Sequence, residues 1–556
     1  MPPVRPSPLQ CSRLLTDPAT FRVAIIADAH FHDPEGDFGG AGITLGGSLL
    51  ALRSWKDTAA GPRAINESAA ALVGALDRIV AAGITHVVLA GDYTDDGQAE
   101  NTRRLATLLQ HYHDRFDLRF YAIPGNHDSF GSHGKHVSTR FVTAPNETGL
   151  VTSDPDQAGN GIVTHAMRCE GQPAALLPMA AFGLFRQPAY LHWETPFGQA
   201  DAPDARVYAA TAPDGSVSHR LMDASYLVEP EPGLWLLLID ANVFEPRPGH
   251  KDPSRKKAFH DPSDAGWSAV LRVKPFLLLW IASVTARAAA QGKALLTVSH
   301  YPVLDPFQDD TMSERAMFGA TSFVRRTPVP QVGRALVAAG LRWHAAGHLH
   351  INATTRMAGP DGTLIDLCLP SLSAFPAAFK IVHANRQRLA VETVTLDDLP
   401  PDPCLTALYA VEGRRGAALP FGAFLAAQFR ARLRTRRLPA DWPPHLAERI
   451  LHMTVSDLVT LMGGPVPPDA AAATHRAYRV TDMVADAYIL REAGPLARGW
   501  IDPQHLQICR MLARDFADAG SDPGSSDAAF FRRFLSVLQV SLRRADADDS
   551  RIELSQ

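Results

Sequence analysis

Residues 84–97 read ITHVVLAGDYTDDG, and this stretch decides the fold. The apolar, partly β-branched run from Ile84 to Ala90 has the length of a buried strand. It stops on Gly91-Asp92, turn chemistry that leaves a carboxylate at the strand's C-terminal end. The same design recurs in RVAIIAD (22–28), LRFYAIPGNHD (118–128), LWLLLID (234–240), KALLTVSH (293–300) and LRWHAAGHLH (341–350). Helical periodicity over 64–82 and 99–115 fills the first intervals, and strand-like runs at TLIDLCL, AAFKIVH and LAVETVTL close the segment. Strands alternating with helices predict an α/β protein. Polar residues gather at the C-terminal ends of its strands, where open α/β sheets form their ligand crevices.

The chain has 556 residues, 46% hydrophobic and 20% charged, with 54 basic against 58 acidic side chains and a formal charge of -4. This is a globular balance, long enough for more than one domain, and it excludes wholesale disorder. No global basic field is present to draw nucleic acid or an anionic membrane. Five cysteines, Cys11, Cys169, Cys368, Cys404 and Cys509, stand far apart with no CxxC pair. Neither a disulfide framework nor a thiolate zinc site is indicated. The first fifteen residues carry four prolines and no apolar h-region, so no signal peptide is expected. The run FLLLWIASV (276–284) is about half the roughly 17–25 residues that span a bilayer. It reads as a buried helix, and a soluble, cytoplasmic protein is expected.

The organisation expected is an N-terminal extension (1–20), a catalytic α/β domain (21–398) and an all-α C-terminal accessory region (404–556). Within the α/β domain, residues 129–233 form a long insertion rich in Gly, Pro and Asp. The Pro-rich stretch Leu399-Pro400-Pro401-Asp402-Pro403 reads as a linker. Beyond it, helices are expected over 421–438, 445–462, 471–493, 503–519 and 527–544, with Gly494-Pro495 stopping the third. The polar tail ADADDSRIELSQ is expected to fray.

Five motifs follow the strands in order: Asp28-Ala29-His30, Gly91-Asp92 through Gly97, Gly125-Asn126-His127-Asp128, Ser299-His300 and Gly347-His348-Leu349-His350. Alternation along a strand sends residues i and i+2 to one side, pairing Asp28 with His30 and His348 with His350. Imidazole, carboxylate and amide donors without thiolate suit Mn, Fe, Zn or Mg. Glycines before Asp92, Asn126 and His348 permit positive φ and close backbone approach. Taken singly, these motifs have ordinary explanations as turns or hydrogen-bonded core histidines. Their order and common placement at strand ends point to one metal site.

The set resembles the calcineurin-like metallophosphoesterase superfamily over about residues 21–396. The resemblance implies a four-layer αββα sandwich, two packed mixed β-sheets flanked by helices, with a dinuclear site of two divalent ions (Mn²⁺, Fe²⁺/Fe³⁺ or Zn²⁺). It assigns one ion to Asp28, His30, Asp92 and His350 and the other to Asp92, Asn126, His300 and His348, with Asp92 bridging. It makes His127 the group beside the leaving oxygen and Asp128 the residue that orients the His127 ring. Two divalent ions less two carboxylates and a bridging hydroxide leave about +1 facing an anionic ester. The implied reaction is hydrolysis of an ester bond: a metal-bound hydroxide attacks phosphorus and His127 protonates the departing alkoxide. The substrate class is a small phosphodiester, cyclic nucleotide-like, or a phosphomonoester, making the chain a phosphodiesterase or phosphatase. Purple phosphatases carry a metal-binding Tyr three residues after the bridging Asp. Here that position is Asp95, so a Tyr–Fe(III) site is not expected, and AGDYTDDGQ is more similar to bacterial phosphoesterases and cyclic nucleotide phosphodiesterases. Asp95 and Asp96 read as loop carboxylates without a ligand role.

His32, Asp33, His133 and His136 read as solvated loop residues that could instead line the pocket. The basic run Arg430, Arg432, Arg434, Arg436, Arg437 reads as the solvated end of a helix. Nucleic-acid binding there would want interleaved aromatics. Two alternatives to the enzyme are a catalytically silent scaffold that binds a protein partner through its helices, and a nuclease. A silent scaffold should have lost ligands or His127, and every matched position is intact.

Overall fold

The computed structural model describes residues 20–307, 311–464, 477–517 and 527–547 and the strand Arg551–Glu553. Cys11, the start of the helix expected over 471–493 and most of the polar tail lie outside them. Two mixed sheets form the centre. The first runs in the spatial order Arg551–Glu553, Arg388–Thr395, Ala378–Ala384, Phe21–Ile26, His86–Ala90, Arg119–Ile123. Its last three strands are parallel, and Phe21–Ile26 pairs antiparallel with Ala378–Ala384, Val23 opposite Val382. The second runs Ala353–Gly359, Gly362–Cys368, Trp343–Ala346, Ala294–Ser299, Leu234–Ile239, Tyr226–Glu231, His192–Glu194, parallel from Gly362–Cys368 to Leu234–Ile239.

Strand alternation explains why the sheets stack. Leu234, Leu236 and Leu238 join the apolar cluster shared with the first sheet. Trp235, Leu237 and Ile239 point the other way, onto the helices Gly266–Val273, Phe276–Gln291 and Pro330–Ala338. On the far side, Ser68–Ala81 and Ala99–Phe116 bury Leu72, Leu76, Leu105 and Leu109 against the first sheet. The result is helix, sheet, sheet, helix. Each leucine so buried contributes roughly 1.5–3 kcal/mol.

The greasy run at Phe276 is the first half of a core helix with Leu277, Trp280, Ile281 and Val284 buried. No single helix among the described residues is long and apolar enough to cross a membrane. The insertion 129–233 is more ordered than its composition suggested. It contributes His192–Glu194 and Tyr226–Glu231 to the second sheet, and it adds two hairpins, Ser138–Ala144 with Glu147–Thr152 and Val207–Thr211 with Ser218–Met222.

The Pro-rich stretch at 399–403 does not act only as a linker. The Asp402 side chain accepts from the Leu405 amide and caps a helix, Pro403–Val411, with Pro403 in its first turn. The helix expected over 445–462 is two, Pro444–Arg449 and Val455–Leu461, because Thr454 and Asp457 form a capping box that starts a new one. These C-terminal helices share one apolar cluster with the first sheet. The Phe375 ring lies 5.3 Å from Phe429 and 5.7 Å from Trp500. Trp442 packs against Phe318 at 5.7 Å and Phe534 at 5.4 Å. The separation of 404–556 as an appended region therefore has no counterpart in the packing.

Candidate metal centre

Each motif sits just past a strand of one of the two sheets, so the strand ends set the site's floor. Asp28 and His30 do not converge by strand alternation, because the strand ends at Ile26. Both have positive φ, 50° and 44°, and so do Asp92 (48°), His348 (69°) and His350 (57°). The two other non-glycine residues with positive φ among the described ones have ordinary reasons. Asp117 ends a helix, and Asn146 lies in the turn between two hairpin strands. Left-handed backbone is costly for residues with a Cβ, and its concentration on five side chains of one cluster marks a functional site. The chain is held in this shape by hydrogen bonds from Asp28 N to Gly91 O (3.1 Å) and from His30 N to Asp92 O (2.9 Å).

Close approach explains the glycines. A Cβ on Gly347 would lie 2.1 Å from Asp28 Oδ2, and one on Gly125 would lie 2.3 Å from Asp92 Oδ1. A side chain at either position would push a carboxylate out of the cluster.

Two groups of donors result. Asp28, His30 and His350 present ligand atoms within 4.8 Å of one another, and Asp92, His300 and His348 do the same. His350 Nε2 is 3.1 Å from Asp28 Oδ1 and 3.3 Å from His30 Nε2. His300 Nε2 is 3.3 Å from Asp92 Oδ2 and 3.2 Å from Asn126 Oδ1, which brings the amide to the second group. The histidine tautomers follow from their other neighbours. His300 Nδ1 faces the Ala90 carbonyl at 3.0 Å and must carry a proton, so Nε2 is the nitrogen turned toward Asp92. His348 donates from Nε2 to the Ser263 carbonyl at 2.9 Å, which frees Nδ1. Burial holds His30 and His348 well below the ordinary imidazole range, reinforced at His30 by Arg63 and at His348 by His300. Both are therefore neutral, the form that binds metal. Burial would raise Asp92, but His300 and His127 outweigh it and keep the carboxylate ionised. Burial likewise opposes a charge on His300, yet Asp92 and Asp28 push it up to about 9 in the ion-free protein. Facing imidazoles and carboxylates without a lysine between them, all nitrogen and oxygen donors, fit a pair of divalent ions.

His127 lies over the cluster, its Nε2 3.9 Å from Asp92 Oδ2. Its amide donates to Asp92 Oδ1 at 2.8 Å. The sequence pointed to Asp128 as the residue that orients this ring. The structure places Asp96 there instead, with Oδ1 2.6 Å from His127 Nδ1. Asp128 is turned into the backbone, accepting from Gly125 N (2.8 Å), Thr94 N (3.0 Å) and Thr94 Oγ1 (3.0 Å). Burial and the nearby Asp92 push its carboxyl up to about 6. Its part is to shape the loop that presents Asn126 and His127. Asp95 is occupied by Arg53 and Gln98.

Arg63 is a further residue of the site that no motif signalled. Its Nη1 lies 2.8 Å from His30 Nδ1 and 3.3 Å from His127 Nε2. Among the described residues it has no carboxylate partner. His32 is neither solvated nor in the pocket: it is buried between Phe38 and Phe141, with Nε2 2.7 Å from Ala51 O. Asp33 pairs with Arg104, and His133 and His136 are exposed.

A cavity of about 640 Å³ opens above the cluster. Its floor includes His30, Asp92, Asn126, His127, His348 and His350, and its roof is the helix Phe421–Arg432 with the turn that follows, through Leu425, Gln428, Phe429, Arg432, Leu433 and Arg436. The basic run is accordingly not a solvated helix end. Arg430 pairs with Asp486 at 2.7 Å, Arg434 pairs with Asp482, Arg437 pairs with Glu492, and Arg432 and Arg436 line the cavity.

Residues 21–168 match the family model described as calcineurin-like phosphoesterase. The chain is similar to that family over this stretch. The phosphoesterase match contains Asp28, His30, Asp92, Asn126 and His127, whereas His300, His348 and His350 lie beyond it and reach the same cluster through the second sheet. No curated protein matches the chain. Among solved structures it is similar to a dimetal phosphatase from Danio rerio, with 14% identity and a TM-score of 0.34 over 68% of this chain and 97% of that one. It is also similar to GAP50, the anchor in the inner membrane complex of Plasmodium (9% identity, TM-score 0.27, 74% and 95% covered). A third is the phosphopantetheinyl hydrolase of Mycobacterium tuberculosis (14% identity, TM-score 0.23, 64% and 90% covered).

Proposed function

We propose that the protein is a metal-dependent phosphoesterase that hydrolyses a small phosphate ester in this cavity. The observation that carries the proposal is the meeting of two nitrogen–oxygen donor groups, Asp28/His30/His350 and Asp92/His300/His348 with Asn126, five of the residues on left-handed backbone, beneath the helix Phe421–Arg432. A volume of about 640 Å³ lies within the range of small-molecule sites, roughly 300–1,000 Å³. Asp92 would be the ligand shared by both ions, and manganese, iron and zinc all suit the donors.

Two divalent ions bound there supply Lewis-acid charge to the phosphoryl oxygens and make water more acidic. The chain's own residues do the rest. Arg63, whose Nη1 lies against His30 and His127 at the cavity floor, would supply a guanidinium to the phosphoryl oxygens of a bound ester. His127, protonated and held by Asp96, gives its proton to the departing alkoxide. Phe375, Phe429 and Leu425 exclude bulk water from one side. Arg63→Ala should raise KM for any phosphate ester more than it lowers kcat.

The deciding experiment is hydrolysis of a panel of monoesters and diesters by protein stripped with chelator and then reconstituted with Mn²⁺. Loss on stripping and recovery on reconstitution are expected. Full activity in protein shown by elemental analysis to be metal-free overturns the proposal. The panel also separates a phosphatase from a phosphodiesterase.

A further inference from the structure

Three guanidiniums line the cavity without a carboxylate partner among the described residues: Arg63 on the floor, and Arg432 and Arg436 on the roof. Arg432 and Arg436 lie one helical turn apart, so both face the same way. Arg432 donates only its Nε to a protein acceptor, the Ala60 carbonyl at 3.1 Å, and Arg436 has no hydrogen-bond or ion-pair partner among the described residues. Burial, with the neighbouring cations Arg437, Arg63 and Arg436, pushes the Arg432 guanidinium down to about 10 although Glu492 opposes this. Their neighbours on the same run are each neutralised: Arg430 by Asp486, Arg434 by Asp482 and Arg437 by Glu492. Like charges gathered in a partly enclosed space are unfavourable unless an anion joins them. Arg63 lies against the donor cluster through His30 and His127, whereas Arg432 and Arg436 stand on the roof. Phe323, Phe375 and Phe429 also line the cavity, together with the acids Asp441 and Glu492, both of which lie against Arg437.

We propose that the substrate carries two phosphates: one hydrolysed at the metal floor, the other held by Arg432 and Arg436 on the roof, with an apolar or flat body between them against Phe375 and Phe429. This rests on the phosphoesterase proposal above and names its substrate class. The C-terminal helices thereby become the part of the chain that selects the substrate.

The test measures phosphate release by Mn²⁺-loaded full-length protein from adenosine 3′,5′-bisphosphate and from adenosine 3′- and 5′-monophosphate. Wild type should favour the bisphosphate at least tenfold in kcat/KM. That ratio should fall toward one in Arg436→Gln and in Arg432→Gln, and Arg436→Lys should restore part of it. Arg434→Gln, which touches Asp482 and not the cavity, should leave the ratio as in wild type. Arg436 is exposed, so its replacement tests charge without disturbing the core. Equal kcat/KM for all three compounds, or a bisphosphate preference untouched in both glutamine variants, overturns this inference and leaves the phosphoesterase proposal standing. No hydrolysis of any ester by the metal-loaded wild type overturns both.

Discussion

Oδ1 of Asp96 lies 2.6 Å from Nδ1 of His127, four residues after Asp92 in the chain and across the loop from the ring it holds. His127 keeps this carboxylate well below its usual range although burial opposes that. The pair is the means by which His127 stays aimed at the space above Asp92. Asp96→Asn should keep both ions by elemental analysis and lower kcat for an alkyl phosphate by about tenfold or more, a part of the roughly 10²–10⁴ that general acid catalysis supplies. An unchanged kcat for alkyl esters would show that the ring is oriented by something else.

His127→Ala should retain two ions and lose roughly 10²–10⁴ in kcat on alkyl phosphates. The loss should shrink with p-nitrophenyl phosphate, whose leaving group needs little protonation. A leaving-group series read by stopped-flow decides the point, and an equal loss across the series rules His127 out as the acid.

Asp92→Ala should be the most damaging of the ligand changes. Its carboxylate stands 3.3 Å from His300 Nε2 and accepts the His127 amide at 2.8 Å, so one substitution removes a ligand and loosens the loop bearing Asn126. Elemental analysis should find fewer than two ions per chain. Two ions retained would contradict a shared role.

Trp442 tests whether the C-terminal helices and the sheets fold together. It is 2% exposed and packs among Phe318, Phe530 and Phe534, joining a helix of the sheet region to the last helix. Trp442→Ala should cost about 3–5 kcal/mol. Calorimetry of the wild type should show one transition with both parts melting together, and two separated transitions would show independent units.

Glu67 gives the stability a pH signature. It is half-buried, and desolvation pushes its carboxyl up to about 7 despite the Tyr409 hydroxyl, 3.0 Å away, which lowers it. Unfolded, it titrates near about 4.3. Between these values the folded chain binds a proton that the unfolded chain does not, so stability falls as pH rises from about 4.3 toward 7. Glu67→Gln removes that slope. The Tm of the variant relative to wild type should rise between pH 5 and pH 8, and a constant difference would remove Glu67 as the cause.

Much of the site was legible in the sequence because each motif follows a strand. Continuous apolar runs ending in Asp, Asn or His place polar groups at strand ends whatever the loops do. The two halves of the site, Asp28 to His127 and His300 to His350, lie far apart in the chain and meet because strand alternation forces the two sheets to stack. That much the amino-acid order determined by itself. Local pattern could not show the left-handed backbone of five donor residues, because φ follows from hydrogen bonds between loops such as His30 N to Asp92 O. Nor could it choose Asp96 over Asp128, since both carboxylates lie near His127 in sequence and only the direction of each loop separates them. The arginine run shows the limit most plainly. On the chain it is a basic helix end. Only the packing of Phe421–Arg432 over the strand ends places Arg432 and Arg436 at the cavity without a carboxylate and gives the other three to carboxylates. Which face of a helix is covered is decided by the surface it meets, and that surface exists only in the folded molecule.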